Sequence, residues 1–212
     1  MEYNKYIDHT LLKQDASEAA IKHLCQEARE WNFKSVCINP FYLDLIKKEL
    51  KGTEVLACTV IGFPLGQMTT ASKVFETEDA IKHGADEIDM VINISKLKAD
   101  DRKYCIDEIN AVKKACQNRT LKVIVETCLL TNEEIKRAAE IVLKTNADFI
   151  KTSTGFSTSG ATLEGVKIFK SVVGDKKLIK AAGGVRSHAD LIEFIAAGAD
   201  RIGTSSGVKL MK

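Results

Sequence analysis

The sequence predicts an α/β protein folded as a single (β/α)₈ TIM barrel over residues 1–212, and two observations lead to this fold class. Short apolar segments typical of strands alternate with amphipathic segments typical of helices along the chain. One turn signal, Gly or Asn followed by Ala-Asp, recurs at residues 84–86, 146–148 and 198–200. Repeated βα units imply parallel strands, and eight such units in 212 residues fit a compact barrel.

Eight segments are predicted as strands. They are uniformly apolar rather than alternating, which is typical of parallel strands that are buried on both faces. In chain order, the predicted strands cover residues 6–9, 35–39, 55–61, 87–93, 121–127, 149–154, 177–182 and 201–205.

The intervening segments have the apolar spacing of helices. Two such stripes are formed by Ile135, Ala138, Ala139 and Val142, and by Cys105, Ile109, Val112 and Cys116. Thr131 followed by Glu134 is a capping-box signal, and Ser187 with Asp190 is a looser version. The Gly or Asn of the recurrent turn, and Asn32 in a weaker copy of it, suits the left-handed residue that ends a helix.

An open, doubly wound sheet is the alternative to the barrel. The first βα turn of such folds often carries a G-x-G-x-x-G motif. No early strand of this sequence is followed by that motif, so the barrel is favoured.

Net charge, apolar runs and cysteine spacing exclude several classes of function and partner. The net charge is +2 and no Lys/Arg-rich block is present, so neither nucleic acid nor an acidic membrane is an expected partner. The start of the chain lacks the apolar core of a signal peptide, and no apolar run approaches the ~18 residues of a membrane span. The six cysteines form no CxxC pair, which indicates reduced thiols and a cytoplasmic location. The four histidines are scattered, so no metal site is expected.

Two lysines occupy apolar strands, where a lysine is unusual because its charged side chain is almost never fully buried without a partner. Lys151 lies in the sixth predicted strand and Lys180 in the seventh, each just before a Gly-rich loop. Asp89 lies inside the apolar fourth strand. Because side chains alternate along a strand, packing of the neighbouring isoleucines on the helices would point all three charged groups into the barrel. The alternatives are snorkelling lysines and a structural ion pair for Asp89.

Such a pocket favours amine chemistry. Two ammonium groups about 6 Å apart, at an effective dielectric constant of about 20, repel by roughly 2.8 kcal/mol. Repulsion of that size would lower the pKa of one lysine from about 10.4 to about 8, and desolvation acts in the same direction. An uncharged lysine is a competent nucleophile toward a carbonyl and forms a Schiff base, while Asp89 is placed to move protons.

A phosphate site is predicted after the last strands, where barrels of this kind commonly hold phosphate. Glycine amides and hydroxyl groups there are suited to anion oxygens. The candidate phosphate-binding residues are Gly155, Gly183, Gly184, Ser205 and Ser206. Asp8, Cys37 and Thr154 are candidate pocket-lining residues, with a buried inert thiol favoured for Cys37. Glu126 is predicted to face away from the pocket and is assigned no role.

With these motifs, the chain resembles the deoxyribose-phosphate aldolase family of class I aldolases over nearly its whole length. The two lysine segments, Ile-Lys-Thr-Ser-Thr-Gly-Phe at 150–156 and Lys-Ala-Ala-Gly-Gly-Val-Arg at 180–186, are highly specific. The other matching segments are residues 6–12, 35–40, 61–66, 84–91 and 201–206.

The resemblance implies a TIM barrel that reversibly cleaves 2-deoxy-D-ribose 5-phosphate to D-glyceraldehyde 3-phosphate and acetaldehyde, with no metal or organic cofactor. It implies Lys151 as the Schiff-base nucleophile, Lys180 as its cationic neighbour and Asp89 as the proton donor and acceptor. The five glycines and serines above would hold the phosphate. Some relatives carry lysine where this chain has Phe156. Family members commonly form homo-oligomers, most often dimers.

Two other functions remain open. One is a Schiff-base aldolase that acts on a different sugar phosphate. The other is a sugar-phosphate-binding barrel without turnover, against which the three intact charged residues argue, because binding needs no activated amine.

Overall fold

The strands of the computed structural model, which describes residues 2–212, form a closed barrel of eight parallel strands in sequence order. All eight predicted strands are present. Their bounds are β1 Ile7–Leu11, β2 Ser35–Ile38, β3 Leu56–Ile61, β4 Glu87–Val91, β5 Thr120–Ile124, β6 Phe149–Lys151, β7 Leu178–Ala182 and β8 Arg201–Thr204.

Most helices alternate with the strands, as the barrel requires, and α4 and α5 both follow β4. Their bounds are α1 Glu18–Glu30, α2 Leu43–Glu49, α3 Thr70–Lys82, α4 Ile94–Lys98, α5 Arg102–Ala115, α6 Asn132–Leu143, α7 Leu163–Val173, α8 His188–Ala196 and α9 Gly207–Leu210. Both predicted capping boxes are formed, at the starts of α6 and α8. No helix within residues 2–212 has both the length and the apolar character that crossing a membrane requires.

The strand ends depart from prediction at β4, β5 and β6, which stop two or three residues early. The residues just past these ends, such as Ile92, Val125 and Thr152, are still fully buried. Burial therefore continues past the point where regular strand pairing stops. An apolar pattern in the sequence indicates burial and does not show where the strand ends.

The recurrent turn has a specific structural purpose. The carboxylate of Asp86 accepts the amide of Ala57 at 2.9 Å, Asp148 accepts that of Leu121 at 2.7 Å, and Asp200 accepts that of Ile179 at 2.8 Å. Each aspartate thereby ties the start of its own strand to the start of a neighbouring strand.

The predicted left-handed residue at this turn is confirmed for Gly84, Gly198 and Asn32, with φ values of 91°, 113° and 50°. It is wrong for Asn146, which is absent from the positive-φ residues within 2–212. There the amide of Asn146 donates instead to the Asn110 side chain at 2.9 Å, so a side-chain acceptor on α5 replaces the glycine-type cap.

Strand register brings the charged residues to matching levels inside the barrel. Lys151 pairs with Lys180 across β6 and β7, and Asp89 pairs with Lys122 across β4 and β5. The intervening residues Ile88, Met90, Ile150 and Ile179 belong to the apolar core. The predicted alternation along these strands is therefore present.

Candidate active site

Three strands direct charged side chains to one point inside the barrel. The amine Nζ of Lys151 lies 2.6 Å from Oδ2 of Asp89, and Nζ of Lys180 lies 2.7 Å from the same oxygen. The exposed fractions of Lys151, Lys180 and Asp89 are 3%, 1% and 0%. The two amines therefore contact the same carboxylate oxygen. The distance between their nitrogen atoms cannot exceed the sum of these two contacts.

A third buried lysine completes the surroundings of this carboxylate. Nζ of Lys122 on β5 lies 2.9 Å from Oδ1 of Asp89 and 2.5 Å from Oε2 of Glu87. Sequence reasoning missed Lys122, although it carries the same signal as the other two, a lysine within an apolar strand. What the sequence alone does not give is the register that sets it beside Asp89.

Asp8 on β1 contacts the buried cations of the barrel interior. It is fully buried, and its Oδ2 lies 2.5 Å from Nζ of Lys180. Its Oδ1 accepts the guanidinium of Arg201 at 2.7 Å and the hydroxyl of Ser35 at 2.6 Å. The Arg201 guanidinium also contacts Glu87, at 3.0 Å. Asp8 thus serves as a partner of cations and does not line the open cavity described below.

These contacts define the ionic cluster of the barrel interior. Its members are the carboxylates of Asp8, Glu87 and Asp89 and the cationic side chains of Lys122, Lys151, Lys180 and Arg201. The cluster holds one more basic group than acidic groups. Lys151 is the lysine of this cluster that has a single carboxylate partner, Asp89.

The protonation states of the other members follow from their partners. Burial opposes ionisation of Asp89, but Lys122, Lys151 and Lys180 outweigh it and hold the pKa of its carboxyl well below the usual range. Burial likewise opposes the charge on Lys180, yet Asp8 and Asp89 raise the pKa of its amine above the ordinary lysine value. Lys180 is therefore a permanent cation beside the Lys151 amine.

Two thiols lie next to the cluster. Cys37 and Cys58 are register neighbours on β2 and β3 and both are fully buried. The thiol of Cys58 donates to Oδ1 of Asp89 at 3.3 Å, and burial raises its pKa well above the usual value. With Asp89 they form a group of metal-ligand type. Three lysines already neutralise this carboxylate, so a metal ion would have to displace a buried ammonium group.

An open cavity of about 580 Å³ lies at the ends of β1, β6, β7 and β8. Thr154 and all five candidate phosphate-binding residues line it: Gly155, Gly183, Gly184, Ser205 and Ser206. Cys37 does not line it. Three cationic side chains, Lys13, Arg186 and Lys209, border the same space and no acidic residue does. Sequence reasoning did not single out these cations, which follow three different strands: Lys13 and Arg186 lie in the loops after β1 and β7, and Lys209 lies in α9 after β8.

The cavity adjoins the ionic cluster through Gly203. This glycine lines the cavity, and a Cβ built on it would lie 3.0 Å from Cε of Lys180. Close backbone packing also shapes the wall, because a Cβ on Gly160 would lie 2.4 Å from the carbonyl carbon of Gly183. The amine pair and the anion-suited loops are therefore adjacent in the structure.

Comparisons with known proteins agree with this arrangement. Residues 3–210 match the model of the DeoC/LacD family aldolases. A deoxyribose-phosphate aldolase of Malacoplasma penetrans is 62% identical over 205 residues, covering 97% of this chain and 92% of the relative. One of Finegoldia magna is 57% identical over 212 residues, covering all of both chains.

A solved structure extends the likeness to three dimensions. The tetrameric deoxyribose phosphate aldolase of Aeropyrum pernix superposes with a TM-score of 0.92 at 32% identity, covering 99% of this chain and 89% of that one. Together with the closed barrel and its buried amine pair, these matches show that the chain belongs to the DeoC/LacD family of aldolases.

Proposed function

We propose that this chain is a class I aldolase that reversibly cleaves 2-deoxy-D-ribose 5-phosphate to D-glyceraldehyde 3-phosphate and acetaldehyde. The observation that carries the proposal is the sharing of one Asp89 oxygen by Lys151 and Lys180. Simple sugar binding needs hydrogen bonds but no pair of buried amines, whereas Schiff-base chemistry needs one amine that is free to attack.

In the proposed reaction, Nζ of Lys151 adds to the C1 aldehyde of the open-chain sugar, and loss of water gives an iminium ion. Removal of the proton from the C3 hydroxyl breaks the C2–C3 bond, and the electron pair moves toward the iminium nitrogen to give an enamine. D-glyceraldehyde 3-phosphate departs, C2 is protonated, and water releases acetaldehyde. Each step is a proton or bond transfer, so no oxidant or reductant is required.

The neighbouring groups support these steps. We propose that Lys180, which has Asp8 and Asp89 as partners, stays the cation of the pair, and that Lys151, which has Asp89 alone, is the nucleophile. Asp89 lies within proton-transfer reach of both amines, at 2.6 and 2.7 Å. We propose that it orients the Lys151 amine and exchanges protons with Lys180 and water during the cycle.

The substrate phosphate is proposed to bind at Gly155, Gly183, Gly184, Ser205 and Ser206. Glycine amides and serine hydroxyls supply donors there. Lys13, Arg186 and Lys209 on the same cavity supply the positive charge, in a chain that has Phe156 where some relatives have lysine. Phe156 instead packs edge-to-face on Phe63, with ring centroids 5.3 Å apart.

The decisive experiment is borohydride reduction in the presence of acetaldehyde, followed by peptide mass spectrometry. We expect one ethyl adduct on Lys151 in the wild type and none in Lys151→Met. An adduct on Lys180 would reverse the two roles, and no adduct at all would leave a binding protein. Product analysis with deoxyribose 5-phosphate against ketose phosphates then separates this aldolase from one with another sugar substrate.

We also propose a cytoplasmic homodimer. The cysteines within residues 2–212 are free thiols, as expected in a reducing compartment. Large apolar side chains remain exposed at Phe41, Leu65 and Phe75, with 87%, 67% and 72% of their surface accessible. Light scattering of the purified chain measures its mass, and a monomer at micromolar concentration would contradict the dimer.

A further inference from the structure

Glu126 combines three unfavourable features at one position just after β5. Its backbone is left-handed, with φ +55°, a conformation that side-chain-bearing residues adopt rarely. Its carboxylate is buried, with 3% of the residue exposed. Within residues 2–212, the hydrogen-bond partners of this carboxylate are the amide and hydroxyl of Thr154 and the thiol of Cys128, none of which is a cation.

The main contacts of this carboxylate run to the wall of the cavity. Both of its oxygens lie 3.3 Å from the amide nitrogen of Thr154, and the Thr154 hydroxyl donates to Oε2. The same hydroxyl oxygen accepts the amide of Phe156 at 3.0 Å. A continuous series of hydrogen bonds thus runs from Glu126 through Thr154 to Phe156 and encloses Gly155.

Residues 154–156 are the part of the cavity wall that leads directly from the Lys151 strand. Gly155 has φ +86° and a Cβ built on it would meet nothing within 4 Å, so the space beside this residue is open. Hydrogen bonds of Thr154 and Phe156, the residues on either side of it, hold the segment. Strained residues persist where their surroundings over-determine them, and they cluster at functional sites.

We propose that Glu126 is a positioning residue that fixes residues 154–156 for the substrate phosphate, and so sets the preference for phosphorylated over unphosphorylated substrate. This inference depends on the proposed function, since it concerns how that reaction selects its substrate. Glu126 does not touch the reacting atoms. It acts through Thr154, because both donors of that residue end on the one carboxylate.

The test compares kcat/KM for 2-deoxyribose 5-phosphate with kcat/KM for 2-deoxyribose. We expect Glu126→Ala to lower the ratio of the first value to the second by about 10- to 100-fold. The reason is that a small misplacement of binding groups is costly in rate. Glu126→Gln keeps an oxygen that accepts two hydrogen bonds, so its ratio should remain within about threefold of wild type.

Thr154→Val provides an independent variant. It removes the hydroxyl that links the carboxylate to Phe156, so its ratio should fall as it does in Glu126→Ala. The double variant should fall no further than either single variant, because the two residues act as one unit.

Labelling by acetaldehyde and borohydride is the control for folding and for the chemistry, since acetaldehyde carries no phosphate. Labelling of Lys151 at the wild-type rate shows that barrel and nucleophile are intact in a variant. If Glu126→Ala fails to label, the Gln and Val variants carry the comparison.

An unchanged ratio in Glu126→Ala or Thr154→Val would overturn the inference, as would a Gln variant that loses the ratio as fully as Ala. In Thr154→Val, labelling that falls in parallel with turnover of the phosphorylated sugar would also overturn it, since that indicates a general structural role. A wild-type enzyme that does not cleave deoxyribose 5-phosphate would instead refute the proposed function itself.

Discussion

Asp89 divides its two oxygens among three lysines, and this division assigns them different tasks. Oδ1 receives Lys122, while Oδ2 receives Lys151 and Lys180. Lys122 and Lys180 have further carboxylate partners, in Glu87 and Asp8 respectively. Lys151 forms an ion pair with Asp89 alone among residues 2–212. It is therefore the lysine whose departure from the cluster breaks the fewest ion pairs.

Lys122 is expected to stabilise the barrel rather than to react. Replacing it in Lys122→Met leaves Glu87 and Asp89 short of a buried partner, which should lower the free energy of unfolding by about 3–5 kcal/mol. Urea denaturation measures this loss. The matched control is Lys103→Met, whose lysine pairs with Asp107 on the exposed face of α5 and should leave stability unchanged. Equal stability of the two variants would contradict the assignment.

His9 should make stability depend on pH. Burial lowers the pKa of its imidazole despite the contact of its Nε2 with Glu27 at 2.7 Å. The folded state therefore resists protonation more than the unfolded state, whose histidine titrates near 6.5. Stability is complete above about pH 6.5 and falls as the pH drops below that value.

His9→Gln removes this titration and keeps a donor for Glu27. The drop in melting temperature from pH 8 to pH 5.5 should be smaller in the variant than in the wild type, as measured by circular dichroism. The same drop in both proteins would show that His9 does not contribute to the pH dependence of stability.

At the scale of elements, strand order and helix positions follow from the sequence because they depend on local patterns. The Ala-Asp turn is local, and each aspartate ties adjacent strands, as Asp148 does for β5 and β6. Alternation along the strands alone predicts that the two lysines of β6 and β7 point into one pocket. Lys122 and Arg201 were missed because their importance arises from register across strands. The left-handed backbone of Glu126 has no signal in residue type, since glycine or asparagine is the usual occupant.

Contact between the loops after β6 and β7 should control substrate binding. In Gly160→Ala the new Cβ would overlap the backbone of Gly183, at 2.4 Å from its carbonyl carbon, so one loop must move. We expect KM for deoxyribose 5-phosphate to rise about 10-fold or more, while labelling of Lys151 by acetaldehyde persists. Ser159→Ala, at an exposed neighbouring position, should bind substrate as the wild type does. An unchanged KM in Gly160→Ala would show that the loops adapt freely.

Over the whole molecule, charge is distributed unevenly although the net charge is only +2. Inside the barrel, the ionic cluster extends from Arg201, at the start of β8, to Lys151, at the end of β6. Its three carboxylates form ion pairs with the buried cations there. At the mouth, by contrast, Lys13, Arg186 and Lys209 border the cavity with no acidic residue among its lining. An approaching anion therefore meets positive charge at the open end of the barrel.

This distribution predicts a dependence on ionic strength that is specific to the phosphorylated substrate. The Debye length falls from about 30 Å at 0.01 M salt to about 8 Å at 0.15 M, so exposed cations attract a dianion less strongly as salt is added. We expect kcat/KM for deoxyribose 5-phosphate to fall several-fold over that range, while kcat/KM for uncharged deoxyribose stays constant. Lys209→Met should flatten the salt dependence, and Lys103→Met, remote from the cavity lining, should leave it unchanged. Steady-state kinetics at four salt concentrations tests this, and parallel curves for the two substrates would mean that the exposed cations do not recognise the phosphate.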